Sequence, residues 1–128
     1  MTLLLDTHLL LLGAADADRL PAVARALMND PENNLLFSAA SLWEIAIKNG
    51  LGREDFRADP RLLRRGLLKH GYGELEIASE HVVAVVDLPA VHKDSFDRIL
   101  VAQALVEGVT LLTTDARLGE YPGAIRIV

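Results

Sequence analysis

Three consecutive leucines running straight into an aspartate, Leu3-Leu4-Leu5-Asp6, constrain this chain more than any other feature. A short unbroken apolar run is the mark of a strand buried on both faces, as in parallel sheets covered by helices. Thr2–Leu5 is therefore predicted as a strand, and the charge that ends it needs a reason. The pattern returns late in the chain, where Val109–Leu112 is followed by Thr113-Thr114-Asp115. Leu35–Phe37 and Ala124–Val128 read as further short strands, and Glu74–Ile77 as an edge strand.

Between these runs the apolar period lengthens to that of helices. His8–Leu12 starts one, and Leu20–Asn29, with Pro21 in its first turn, is a second. Ser38 can cap a helix reaching about Lys48, stopped by Gly50. Pro60–His70 is amphipathic, with Leu62, Leu63 and Leu67 on one side and Arg61, Arg64, Arg65 and Lys69 mostly on the other. Ser79–Val86 is a short helix. Asp94 can cap a helix from Ser95 to Glu107, with Gly108 as its stop. Its middle is apolar nearly all round, as in a central buried helix. Strands alternating with helices predict a parallel α/β sheet in a single domain over residues 1–128.

Composition narrows the chemistry. The 128 residues are 51% apolar, which excludes intrinsic disorder, and contain no cysteine, which excludes disulfides and thiolate metal sites. The formal charge is −5, so the chain is a poor non-specific binder of polyanions. Contact with nucleic acid then needs a metal or a local basic patch. Residues 53–69, with six basic and three acidic groups, are the one basic stretch, although a solvated helix face is its default reading. Leu3–Leu12 is apolar enough to suggest a signal peptide, but Asp6 and His8 interrupt it and no Lys or Arg precedes it. No segment approaches the ~18–20 apolar residues of a membrane span. The expected location is cytoplasmic.

Asp6 and Asp115 end two of the most apolar strands. In open parallel sheets, ligands bind beyond the carboxyl ends of the strands, where the strand order switches. Glu44 and Asp97 sit on helices that look buried. Four carboxylates gathered there would repel one another, each pair near 4 Å costing about 4 kcal/mol at an effective dielectric of ~20. Protons or a divalent cation relieve this. All-oxygen ligands select Mg²⁺ or Mn²⁺ over Zn²⁺.

Each residue also has a plainer role. Asp6 can be a turn residue, Glu44 an i,i+4 partner of Lys48, Asp97 the N3 residue of an Asp94 cap, and Asp115 the cap of the next turn. Arg98 can contact phosphate or serve as an ion-pair partner. Thr7 and Thr114 can hold the strand-end carboxylates and substrate, or satisfy local backbone. His8, His70, His81 and His92 show no metal-ligand spacing and read as structural or exposed. The conjunction of the four carboxylates, rather than any one of them, argues for a site.

In that conjunction the sequence resembles the PIN-domain nucleases. Leu3-Leu4-Leu5-Asp6-Thr7-His8 looks like the opening motif of that family. Ser38-Ala39-Ala40-Ser41-Leu42-Trp43-Glu44-Ile45-Ala46-Ile47-Lys48 resembles the second motif of one branch, and the stretch from His92 to Ala104 resembles its third. Leu111-Leu112-Thr113-Thr114-Asp115 is similar to the fourth. The four come in the family's order and span nearly the whole chain. The branch is that of VapC-type toxins of bacterial toxin–antitoxin pairs.

The resemblance implies a central parallel sheet of about five strands with helices on both faces. It implies a Mg²⁺- or Mn²⁺-dependent endoribonuclease, often dimeric, inhibited by a cognate antitoxin. Asp6, Glu44, Asp97 and Asp115 would form its acidic cluster, with Asp6 and Asp97 the principal metal ligands. Two positions depart from the branch. Ser95 stands where proline is usual, which a helix's first turn tolerates, and Leu12 where tryptophan is frequent, which concerns packing. One alternative is a catalytically weak PIN-like module that sequesters RNA or a protein. Another is an aspartyl phosphatase built on Asp6, but that chemistry wants a second aspartate where His8 stands.

Overall fold

The computed structural model describes residues 1–128. In chain order its elements are β1 (Thr2–Leu5), α1 (Thr7–Ala15), α2 (Ala22–Asn29), β2 (Asn34–Ser38), α3 (Ala39–Gly50), α4 (Pro60–Lys69), β3 (Gly73–Leu75), α5 (Ser79–Ala84), α6 (Ser95–Glu107), β4 (Thr110–Thr113) and β5 (Ile125–Ile127), with short 3₁₀ turns between some of them. The strands form one sheet in the order β3-β2-β1-β4-β5, and every neighbouring pair is parallel. This is the parallel α/β architecture that the apolar runs predict.

The leucines of β1 explain why the sheet is covered twice. Side chains alternate along a strand. Leu3 and Leu5 enter a core with Leu9, Leu10, Phe37, Ile45, Leu63 and Leu67, drawn from α1, β2, α3 and α4. Leu4 points the other way, into a core with Leu100, Val101, Leu111 and Leu118. Helix α6 is the centre of this second layer, as its apolar middle predicts.

The order of the strands positions the site. From β1 the chain moves outward to β2 and then β3, and next crosses back to place β4 on the free side of β1. Strand order therefore switches between β1 and β4, and a crevice opens beyond their carboxyl ends. Leu5 pairs with Leu112 in that register, so the residues that follow, Asp6 and Thr113, meet at the mouth.

Some local details differ from the sequence reading. Helix α1 starts at Thr7 and runs to Ala15 because the Asp6 carboxylate caps it. Leu62 is 60% exposed, while Leu63 and Leu67 are buried. The i,i+4 pair faces the sheet, and Leu62, about 100° round the helix from Leu63, cannot. Strand β3 stops at Leu75, and the next carbonyl, of Glu76, accepts instead from Gln103 Nε2 at 3.2 Å. The charged connection after α3 holds a 3₁₀ turn, Glu54–Phe56, that buries Phe56 completely. No helix is long and apolar enough to cross a membrane.

Burial in the second core sets one expectation. Leu100 is fully buried, whereas Val86 is 83% exposed. Leu100→Ala should cost about 2–5 kcal/mol in urea denaturation, and Val86→Ala within about 0.5 kcal/mol of nothing. Equal costs would place the core elsewhere.

Candidate functional site

Asp6 occupies the switch crevice and is almost wholly buried. Its amide donates to the Leu112 carbonyl at 3.0 Å, extending the β1–β4 ladder by one step. Its Oδ1 accepts from Leu9 N at 2.9 Å, and its Oδ2 accepts from the Thr113 hydroxyl. Burial raises its pKa above the ordinary aspartate value, against the opposing pull of the Thr113 hydroxyl and the Leu9 amide. Thr113 Oγ1 in turn accepts from the Asp115 amide at 3.0 Å. One hydroxyl thus fastens the two strand-end aspartates together.

Asp115 also caps the next turn, accepting from Arg117 N at 3.0 Å, and is clasped by the Arg117 guanidinium at 2.8 Å. That hydrogen bond holds its carboxyl below the usual range. Asp97 comes from the first turn of α6. Asp94 caps that helix, its Oδ1 accepting from Phe96 N at 2.9 Å and Asp97 N at 3.1 Å. Ligand atoms of Asp97, Asp115 and His92 all lie within 4.8 Å of one another. Burial pushes Asp97 up to about 6, the charges of Asp94 and Glu44 add to the rise, and the hydrogen bond from His92 opposes it.

Glu44 projects from α3 and is 3% exposed. Its Oε2 meets Lys48 Nζ at 2.5 Å, so the i,i+4 pair forms, but buried rather than on an open face. Its Oε1 is buried with no hydrogen-bond partner. A buried carboxylate oxygen left unsatisfied is costly, and a hydrogen-bond donor or a cation relieves the cost. The groups within ligand distance of one another are Asp97, Asp115 and His92. Asp6 is tied to Asp115 through Thr113, and the charge of Glu44 is felt at Asp97.

Three further expected residues are engaged by protein. Thr7 Oγ1 donates to Ser41 Oγ at 2.9 Å and joins α1 to α3. Thr114 is exposed, and its backbone, not its hydroxyl, bonds Asp6. Arg98 donates to the carbonyls of Pro89 at 2.9 Å and Val85 at 3.2 Å, and to the Tyr121 hydroxyl at 3.2 Å. Its guanidinium is spent on these bonds rather than left free for phosphate.

That last contact starts a chain that ends on Asp97. Arginine can only donate, so the Tyr121 hydroxyl accepts from it. The same hydroxyl lies 2.7 Å from His92 Nδ1 and 3.4 Å from the His92 carbonyl. His92 Nε2 in turn meets Asp97 Oδ2 at 3.1 Å. His92, Tyr121 and Thr113 were not singled out from the sequence. Thr113 is recoverable once the β1–β4 register is known. His92 and Tyr121 are 29 residues apart and carry no local signal.

A second carboxylate–histidine group, Glu80, His81 and Glu107, is structural. His81 Nδ1 accepts from Ala78 N at 2.9 Å, and Nε2 donates to Glu107 at 2.8 Å. Glu107 lies ten residues along α6 from Asp97, about 15 Å away. A groove of 720 Å³ between α1, α2 and α4, lined by Leu10, Leu20, Met28, Leu63 and Leu67, holds none of the four expected carboxylates.

The PIN domain family matches residues 3–124 of the sequence. The chain belongs to the PIN domain family. No curated protein sequence matches it. The PIN fold recurs in VapBC2 from Rickettsia felis, solved bound to a DNA fragment from its promoter, with a TM-score of 0.75 and 12% identity over 100% of this chain and 99% of that one. It recurs in VapBC-1 from nontypeable Haemophilus influenzae, with a TM-score of 0.64 and 16% identity over 99% and 98% of the two chains. A domain of a functionally unknown protein from Methanocaldococcus jannaschii scores 0.60 at 15% identity, over 99% and 90%. At these identities the likeness shows the fold alone.

The raised pKa of Asp97 makes stability depend on pH. The folded value, about 6, lies above the ordinary 3.8. Ionisation therefore costs the fold nothing below the lower value, increasingly much between the two, and a constant amount above the upper one. In EDTA at about pH 7.5, Asp97→Asn should be the more stable protein by the order of 2 kcal/mol. The gain should vanish near pH 4, as read by thermal unfolding across a pH series. A gain that does not change with pH would mean the carboxyl is not strained.

Proposed function

We propose that this PIN domain is a Mg²⁺- or Mn²⁺-dependent endoribonuclease that hydrolyses RNA phosphodiester bonds. It would act as the VapC-type toxin of a toxin–antitoxin pair. The observation that carries this reading is the gathering of Asp97, Asp115 and His92 within 4.8 Å, beside an Asp6 joined to Asp115 through Thr113. Such a group of carboxylates in a switch-point crevice suits a metal ion acting on phosphate.

In this reading Asp6 and Asp97 hold the ion, with Asp115 and Glu44 beside them. A divalent ion bound there supplies an activated water and steadies charge on the phosphodiester. The chain's own part is to hold the ligands still. The Leu9 amide and Thr113 hydroxyl fix the two oxygens of Asp6. The Arg98–Tyr121–His92 chain fixes Oδ2 of Asp97. Bonds of this kind orient metal ligands and keep them basic.

RNA must approach a chain of net charge −5. The basic stretch begins beside the cluster, where Arg53 stacks 5.3 Å from the centre of the Phe56 ring. Exposed Trp43 packs edge-on against Phe96 at 5.2 Å, next in the chain to Asp97. An exposed aromatic at that place suits an unpaired base.

Likeness to the VapBC structures supports an antitoxin protein as partner. Exposed Val82, Val83 and Val86 on α5 and its following turn support a homodimer. A cytoplasmic setting fits an RNA substrate.

Purified protein should cut single-stranded RNA when Mg²⁺ or Mn²⁺ is added and stop in EDTA. Asp6→Asn and Asp97→Asn should each lower the rate by roughly a hundredfold or more while the circular dichroism stays native. Cutting at the parent rate in either variant, or in EDTA, would sink the assignment. Thr113→Val, which frees one oxygen of Asp6, should lower the rate about tenfold and weaken Mn²⁺ binding. Unchanged Mn²⁺ affinity would show that the hydroxyl does not position the ligand.

A further inference from the structure

Among the carboxylates sits one amine that the metal reading leaves unused. Lys48 lies one turn beyond Glu44 on α3, its Nζ 2.5 Å from Glu44 Oε2 and 3.9 Å from Asp94 Oδ2. The ammonium also lies 4.6 Å from the centre of the Phe56 ring and 5.6 Å from that of Phe96. An i,i+4 pair on an open helix face is worth a few tenths of a kcal/mol and comes apart freely. This one is enclosed, because the Lys48 side chain is 18% exposed and that of Glu44 is 3% exposed. Removing either partner would strand a buried charge.

The rest of the cluster divides by what faces it. Asp115 is paired with Arg117 at 2.8 Å. Asp6 and Asp97 are the two carboxylates that no lysine or arginine approaches within 4.0 Å. His92 faces Asp97 with Nε2 3.1 Å from Oδ2. Two unbalanced carboxylates match one divalent cation. On Glu44, Lys48 holds one oxygen and leaves only Oε1 without a partner.

Resting on the metal-dependent reading above, we propose that Lys48 is a resident monovalent cation standing where a second metal ion would otherwise bind. The site then takes a single divalent ion, on Asp6 and Asp97. Lys48 acts through Glu44 and is a positioning residue, not a catalytic one.

The test is to titrate Mn²⁺ into the metal-free full chain and count bound ions from the loss of the free-ion paramagnetic resonance signal. The parent should bind one ion, and so should Lys48→Arg, which keeps the charge. Lys48→Met leaves Glu44 without its cation and should bind a second ion. Two ions on the parent overturn the proposal, as does a folded Lys48→Met that still binds one. If Lys48→Met does not fold, the parent count decides alone. RNA cleavage by the same samples separates the two readings. A cleaving parent with two ions refutes the role of Lys48 only. A parent that binds one ion and cuts no RNA refutes the nuclease reading and leaves Lys48 in place. No bound ion refutes both.

Discussion

The pairing of β1 with β4 is the constraint on which the rest of this structure depends. It sets Leu5 opposite Leu112, and one step further it sets Asp6 against Thr113, 107 residues away in the chain. The three leucines do not set this register by themselves, because a shift of one residue still leaves leucine in both core layers. The charge that ends the run sets it, since the same shift would part Asp6 from Thr113 and from the Leu9 amide. The leucines hold the strand in the core, and the aspartate holds its place along the ladder.

The carboxylates stay in place because they also serve as caps. Asp6 caps α1, Asp94 caps α6, and Asp115 caps the turn that follows β4. The cap roles weighed from the sequence for Asp94 and Asp115 are present, whereas Asp6, weighed as a turn residue, caps α1 instead. The capped helices aim their positive ends at the cluster. A helix N-terminus stabilises a nearby anion by about 0.3–1 kcal/mol. Two carboxylates near 4 Å repel by about 4 kcal/mol at an effective dielectric of ~20. Caps reduce such repulsion without cancelling it. Burial is what raises the pKa of Asp6 and does most to raise that of Asp97, where the charges of Asp94 and Glu44 add to it.

Sequence patterns make visible whatever depends on local period or on order along the chain. The buried strands, the all-round apolar α6, the aspartates after β1 and β4, and the acid at the head of α6 are all of this kind. Sequence reasoning misplaced Leu62, because a run of adjacent leucines does not say which of them faces the sheet. It passed over Phe56, because a single aromatic in a charged segment has no period. It took His92 as a structural or exposed residue, because its partners Tyr121 and Asp97 become neighbours only after α6 packs against the turn before β5. Lys48 was weighed only as a partner for Glu44. The rings of Phe56 and Phe96 that enclose it come from different segments, and enclosure is what turns an ordinary helix pair into part of a site.

Folding alone gives no reason to keep the two acids of the cluster that cap nothing, Asp97 and Glu44. Asn at position 97 would keep the helix and remove the repulsion, and apolar residues near Glu44 would remove an oxygen that nothing in the protein satisfies. Stability lost at such places is recovered when a ligand binds the folded form, by an amount that grows with ligand concentration over its dissociation constant. An acidic pocket strained in isolation is thus already shaped for a cation. Because Asp6 and Asp97 are strained by burial, while Asp115 is relieved by Arg117, the attraction concentrates between the ends of β1 and α6. That is the place beyond the β1–β4 switch where a parallel sheet leaves room for a ligand.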